Sequence, residues 1–151
     1  MMSSNNVIIN PDEELHELLG YDRIKIIQKK DGFKFGIDAV LLSDFAQVKK
    51  RHRVMDLCTG TGIVPFLVYG KYEPQSIFGL EIQRDMVEMA ERSVRMNNLE
   101  EKLHFINHDL KAWQILAMAC GTAAVMELIE FIFSWPGGIL VKDRDNNNAY
   151  G

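Results

Sequence analysis

Hydrophobic positions in the middle of the chain fall into three short continuous runs, and the stretches between them are helical in pattern. Val54 to Leu57, Ser76 to Glu81 and Leu103 to Asn107 are apolar enough for strands buried on both faces. Ile63 to Tyr69 reads as a helix packed on the first strand, and Pro65 fits in its first turn, where a missing N–H costs nothing. Asp85 opens a second, amphipathic helix with Met86, Met89, Ala90 and Val94 turned inward. Glu88 with Arg92 and Glu91 with Arg95 form i,i+4 pairs on its wet side, and Asn97-Asn98 ends it. Strands alternating with helices predict a parallel sheet of the Rossmann-like α/β class.

The pattern upstream is different. Asn10 followed by Pro11 and Glu13 reads as a capped helix start, with Leu15, Leu18 and Leu19 as its apolar stripe and Gly20 as its stop. Ile24 and Ile26 alternate with charged residues, Phe33 and Phe35 do the same, and Asp31-Gly32 lies between them. Arg23 to Gly36 therefore reads as a structural β-hairpin. Asp38 then caps a helix with Val40, Leu41, Phe45 and Val48 on one side.

After residue 112 the character changes again. Trp113 to Trp135 is an apolar run interrupted by Gln114, Gly121, Thr122, Glu127 and Glu130. Two carboxylates in its central part would each cost about 2.5 to 3.5 kcal/mol in a bilayer, so a helix plus a fourth strand near Leu128 to Phe133 is the better reading than a membrane span. The chain thus divides into a flexible start (1–10), a helix, hairpin and helix (11–53), a ligand-binding half-domain (54–112) and a divergent tail (113–151).

A length of 151 residues with 47% hydrophobic residues suits one domain. The first residues lack the pattern of a secretory signal, and Cys58 and Cys120 make no disulfide framework or metal-ligand spacing, which together predict a cytoplasmic protein without metal. Net charge is −4, yet Tyr21 to Arg53 carries nine Lys or Arg against four Asp. The run Lys49, Lys50, Arg51, His52, Arg53 is either a solvated loop or a contact for nucleic-acid phosphates.

Chemistry concentrates where the three apolar runs end. Asp56 precedes Thr59-Gly60-Thr61-Gly62, whose glycines let a ligand approach the backbone closely. Glu81 ends the second strand at the spacing from that loop at which a carboxylate accepts hydrogen bonds from both hydroxyls of a ribose. Asp109 follows the third strand, where an acidic side chain can accept from an adenine amine or merely cap the next element. In a parallel sheet these ends share one crevice. Proline stands where a dinucleotide fingerprint needs its third glycine, and no Gly-Lys-Ser/Thr follows for a triphosphate. An acidic residue beside the glycine loop instead suits a ligand carrying an ammonium group.

Asp-Leu-Cys-Thr-Gly-Thr-Gly, Gly-Leu-Glu-Ile and Asn-His-Asp-Leu resemble the first three motifs of class I S-adenosylmethionine-dependent methyltransferases. Asp-Glu-Glu-Leu-His-Glu-Leu-Leu-Gly, Ile-Ile-Gln and Phe-Lys-Phe-Gly-Ile-Asp-Ala-Val-Leu-Leu are similar to the bacterial family that methylates the exocyclic amine of an adenine in a valine tRNA. The resemblance spans about residues 11 to 112. It implies S-adenosylmethionine as cofactor, held at its methionine end by Asp56, Thr59, Gly60 and Gly62, at the ribose by Glu81 and beside the adenine by Asp109, with Ile82 and Leu110 as further cofactor-binding residues. It also implies tRNA as partner, for which Lys49, Lys50, Arg51 and Arg53 of the basic run offer phosphate contacts.

That family carries Asn-Pro-Pro-Tyr after its fourth strand, to orient the target amine and stack on an extruded base. This chain has no such sequence, and Ser134-Trp135-Pro136-Gly137 is the nearest approach to it. Three readings follow: a tRNA adenine-amine methyltransferase, a truncated or frame-shifted cofactor-binding fragment that catalyses nothing, and a small-molecule methyltransferase. The catalytic residues are left unassigned.

Overall fold

A computed structural model of the protein describes residues 7–18, 20, 24–32, 34, 36–109 and 139–142. In chain order these form β1 (Glu13–Glu17), β2 (Lys25–Lys29), α1 (Ile37–Phe45), β3 (Arg53–Leu57), α2 (Ile63–Tyr72), β4 (Ser76–Glu81), α3 (Arg84–Met96), β5 (Leu103–Asn107) and β6 (Ile139–Lys142). The main sheet has the order β5-β4-β3-β6, and a separate two-stranded sheet pairs β1 with β2. Strands β3, β4 and β5 are parallel, in the register Asp56↔Gly79↔Phe105. That is the 3-2-1 half of a doubly wound sheet, as the alternating pattern predicts. On the far side of β3, β6 runs antiparallel, with Asp56 opposite Ile139. The expected fourth strand at Leu128 to Phe133 lies outside the described residues.

The core is built from side chains of the strands and from the inner faces of the helices. Val54, Ile77 and Leu103 come from the sheet, Phe66, Leu67 and Val68 from α2, and Val94 from α3. Val87, Met89, Ala90, Ser93 and Val94 form the buried stripe of α3, so Val87 and Ser93 join the predicted set while Met86 is only half-buried. Pro65 is the third residue of α2, within the turn whose N–H groups have no helical partner.

Three expectations for the amino-terminal third are corrected. The segment beginning at Asn10 is a strand, not a helix. Asn10 to Glu13 does form a local turn, with the Glu13 N–H donating to the Asn10 carbonyl at 3.0 Å, and the Glu13 carboxylate accepts the Asn10 backbone N–H at 2.9 Å. The reciprocal bond of a capping box is present, but it closes a β-turn with Pro11 in second place. The chain then extends because β2 offers a full ladder from Glu13↔Lys29 to Glu17↔Lys25. Leu15, the predicted helical core position, is consequently exposed, and Glu13 is buried.

The second correction concerns the hairpin. Its first strand exists at Lys25–Lys29, and Gly32 N–H donates to the Lys29 carbonyl in the turn, but the strand's partner is β1. Phe33 and Phe35 lie outside the described residues, while Lys34 and Gly36 between and after them are in no strand.

The third is the face of α1. Gly36 is its N-cap, with Asp38 in the first turn, and the buried residues are Ala39 and Ser43, followed by Ala46 and Val48. Leu41 and Phe45, read as core, are exposed. The helix packs on α2, where Asp44 pairs with Lys71 and its carbonyl accepts the Tyr72 hydroxyl at 3.0 Å.

The β1-β2 pair is fastened to α3 by side chains. Ser93 Oγ accepts the Ile27 N–H at 2.9 Å, and Asn97 both accepts from the Lys25 N–H and donates to its carbonyl, so these groups on the free edge of β2 are satisfied without another strand. Arg92 makes a paired contact with Glu13 at 2.7 and 2.6 Å and also donates to the Ile8 carbonyl. The expected Glu88–Arg92 side-chain pair is thereby replaced: Glu88 pairs with Arg84 at 3.0 Å, and Arg92 faces the hairpin rather than water. This bond holds the Glu13 carboxyl down to about pKa 2 against the opposing effect of burial.

Candidate functional site

Strands β3, β4 and β5 end side by side, and the residues after them are tied together by the backbone. The loop after β3 is anchored where Thr59 N–H donates to the Leu80 carbonyl at 3.0 Å. The end of β5 is anchored where His108 N–H donates to the Glu81 carbonyl at 2.9 Å and Asn107 Nδ2 donates to the carbonyls of Glu81 and Ile82. Asp56, the glycine loop, Glu81 and Asp109 are therefore brought to one edge of the sheet, as predicted.

The loop itself turns through three left-handed residues, Cys58 (φ 61), Gly60 (φ 58) and Gly62 (φ 82). A Cβ on Gly60 would meet nothing within 4 Å, so the backbone there has an open face. At Gly62, the N-cap of α2, a Cβ would fall 2.4 Å from the Phe105 ring. Gly79 on β4 faces the same ring at 2.6 Å. Phe105 thus fills the space that the two glycines leave, and this fixes the loop against β5. Gly62 N–H closes the turn on the Thr59 carbonyl at 2.9 Å.

Two carboxylates bracket the open face. Asp56 is buried, its Oδ2 accepts the Thr59 hydroxyl at 2.6 Å, and burial raises its pKa to about 7, with the nearby Glu81 adding to the rise. Glu81 is buried too, and its two oxygens are divided: Oε2 accepts the Gly60 N–H at 2.9 Å and Oε1 accepts the Gln83 N–H at 2.9 Å. Each carboxylate oxygen has a second lone pair, so Glu81 retains acceptor capacity for a ligand. Thr59 is buried between these groups, and its hydroxyl is spent on Asp56.

The outer residues of the predicted set are more open. Ile82 and Asp109 are exposed, and Leu110 lies outside the described residues. The basic run sits at the other pole. Lys49 to Arg53 enters β3 at its amino end, a strand length or about 13 Å from the crevice. Within it His52 is buried, Lys50 pairs with Glu73 at 2.9 Å, and the Arg53 guanidinium lies 5.7 Å from the Phe78 ring centre. Among the described residues no cluster of His, Cys, Asp or Glu could hold a metal ion, and no helix is long and apolar enough to cross a membrane.

One contact was not foreseen. Gln28, at the end of the buried run of β2, donates through Nε2 to Thr61 Oγ1 at 3.4 Å and so places the hairpin against the glycine loop. Its signal in the sequence is a polar residue directly after Ile26-Ile27 in an otherwise buried stretch.

No known family profile matches the chain. Curated proteins do resemble it. A tRNA1(Val) (adenine(37)-N6)-methyltransferase of Tolumonas auensis is 27% identical over 95 residues, which is 62% of this chain and 40% of that protein. The protein of the same name from Bacteroides thetaiotaomicron gives the same identity and coverage. The chain therefore spans less than half the length of these relatives. Among solved structures, Methanocaldococcus jannaschii Trm5 in complex with adenosine superposes with a TM-score of 0.53 at 20% identity, covering 66% of this chain and 31% of that one. TYW2 from the same organism, in complex with AdoMet, gives 0.54 at 12% identity, with 65% and 44% covered. The fold is thus the Rossmann-like fold of methyltransferases, and in sequence the chain is similar, over a part of its length, to tRNA1(Val) adenine-N6-methyltransferases.

Proposed function

We propose that this chain holds S-adenosylmethionine in the crevice formed by Asp56, Thr59, Gly60, Gly62, Glu81, Ile82 and Asp109, as the donor side of a methyltransferase acting on an adenine amine in tRNA. The observation that carries the reading is the Glu81–Gly60 bond, which sets an acidic strand end beside an open glycine backbone. The donor set fits the cofactor. Glu81 has acceptor positions left for two ribose hydroxyls, and Asp56 supplies a carboxylate near the loop for a cation. The first turn of α2, capped only by Gly62, presents backbone N–H groups suited to a carboxylate.

When bound, the cofactor supplies an electrophilic methyl group on a sulfonium. The chain's own residues contribute binding and orientation. Asp109 would accept from the adenine amine at the end of β5, and the crevice would fix the direction from which an acceptor must approach. Lys49, Lys50, Arg51 and Arg53 are the proposed contacts for tRNA phosphates. Their place at the opposite pole of β3 restricts them to a segment of tRNA distant from the reacting base.

A second reading has its own support, because the chain lacks the Asn-Pro-Pro-Tyr that its resemblance calls for on the acceptor side. On this reading the chain binds the donor and transfers nothing. Incubation with methyl-labelled S-adenosylmethionine and unmodified valine tRNA separates the two. Label retained on the protein, displaced by S-adenosylhomocysteine and absent from the tRNA supports the binding-only reading. Label entering the tRNA, and lost when Glu81 is replaced, supports the enzyme. Label retained on neither contradicts both.

A further inference from the structure

Gln28 carries an unused hydrogen-bonding atom at the edge of the proposed cofactor crevice. The residue is only 3% exposed, and its Oε1 has no hydrogen-bond partner. Its Nε2 contact with Thr61 is long, at 3.4 Å. A buried amide oxygen left unpaired is costly, and in a native structure such a group calls for a reason.

The reason is not the attachment of the strand. β2 is held by the ladder to β1 and, on its other edge, by Ser93 and Asn97 of α3, with the Arg92–Glu13 contact securing the turn before β1. None of these bonds uses the Gln28 side chain. They fix where its amide stands, which is against the half-buried Thr61, between the two glycines of the loop.

We propose that Gln28 recognises the amino-acid end of the bound cofactor, its Oε1 accepting a hydrogen bond from the α-ammonium while Thr61 keeps hold of the amide. This rests on the cofactor reading above and deepens it. The terminal amide torsion of glutamine is broad, so Oε1 can turn toward a ligand on the loop within reach of Thr61. A hydroxyl both donates and accepts, so Thr61 can serve either orientation of the amide. An ammonium carries three donors, and Asp56 alone, already bonded to Thr59, does not satisfy them. The hairpin thus becomes part of the binding site, although it lies outside the strand-loop-helix unit.

The test uses two ligands on the whole chain. S-adenosylhomocysteine carries the amino-acid end, whereas 5′-methylthioadenosine has the same adenosine without it. Calorimetry on wild type, Gln28→Met and Gln28→Glu should show Gln28→Met weakening S-adenosylhomocysteine about five- to tenfold, while methylthioadenosine binds as before. Gln28→Glu, which keeps the acceptor, should bind S-adenosylhomocysteine within about threefold of wild type. The melting temperature of ligand-free Gln28→Met should not fall, because the substitution removes a buried unpaired oxygen. Unchanged S-adenosylhomocysteine binding by Gln28→Met overturns the proposal alone. So does an equal loss for both ligands, a lowered melting temperature, or a loss in Gln28→Glu as large as in Gln28→Met. Wild type that binds neither ligand overturns the cofactor reading and this proposal together.

Discussion

Glu81 accepts the Gly60 N–H through Oε2 at 2.9 Å, so the side chain proposed to hold the ribose also holds the loop proposed to hold the methionine end. Two strands are coupled through one carboxylate. Replacing Glu81 by Ala should weaken S-adenosylhomocysteine by about 1 to 3 kcal/mol, or roughly five- to a hundredfold. It should also speed hydrogen exchange at the Gly60 amide. Lost affinity with an unchanged Gly60 amide would separate the two roles and remove the coupling.

Asp56 predicts a pH dependence of binding. Its pKa of about 7 in the free protein means that the carboxyl is largely protonated at pH 6, whereas pairing with an ammonium requires the carboxylate. Affinity for S-adenosylhomocysteine should therefore rise about tenfold between pH 6 and pH 8, with proton release at pH 7. Asp56→Asn should flatten the profile. Stability of the free protein runs the other way. The unfolded chain gives up this proton near pH 3.8 and the folded chain keeps it to about 7, so the contribution present at low pH is lost as pH rises through 7.

The Glu13–Arg92 contact has the opposite sign. The Glu13 pKa is lowered from 4.5 to about 2, so its contribution is present above pH 4.5 and lost as pH falls toward 2. Arg92→Ala leaves the buried Glu13 carboxylate with its Asn10 hydrogen bonds and the more distant Lys29 ammonium at 3.9 Å, so it should cost somewhat less than the full loss of a buried pair, about 2 to 3 kcal/mol at neutral pH. Thermal melts of wild type and Arg92→Ala from pH 7 to pH 2 should converge at the acid end. Parallel curves would contradict the assignment.

Gly62→Ala should be destabilising for two separable reasons, the left-handed backbone at φ 82 and the 2.4 Å approach to Phe105. The first costs about 1 to 2 kcal/mol. A second substitution, Phe105→Leu, makes room and should recover the steric part only. Full recovery in the double variant would mean that backbone conformation is not what glycine provides there.

The three parallel strands and the crevice were legible because continuous apolar runs and glycine punctuation are local signals. Ser76–Glu81 and Leu103–Asn107 match their predicted bounds, and Asp56, Glu81 and Asp109 lie at or just past the same ends of neighbouring parallel strands. The amino-terminal third was misread because its decisive partners are distant. Asn10 and Glu13 make the same bonds in a β-turn as in a helix cap, and only the ladder to β2 and the reach of Arg92 decide between them. The exposed Leu41 and Phe45 fail for a related reason. The helix buries its small residues Ala39 and Ser43 and leaves the larger Leu41 and Phe45 outside, a choice of face that side-chain size alone does not signal. Gln28 stands in the Ile-Ile-Gln that carries part of the resemblance, but its place against Thr61 depends on how the β1-β2 pair docks beside the glycine loop, which no local pattern signals.

The central claim is that these strand ends form a donor site, and calorimetric titration of the purified chain with S-adenosylhomocysteine at pH 8 tests it most directly. One-to-one binding, weakened in Glu81→Ala and insensitive to added nicotinamide dinucleotide, is the predicted result. No heat of binding in a chain that melts cooperatively, or equal binding by wild type and Glu81→Ala, would contradict it.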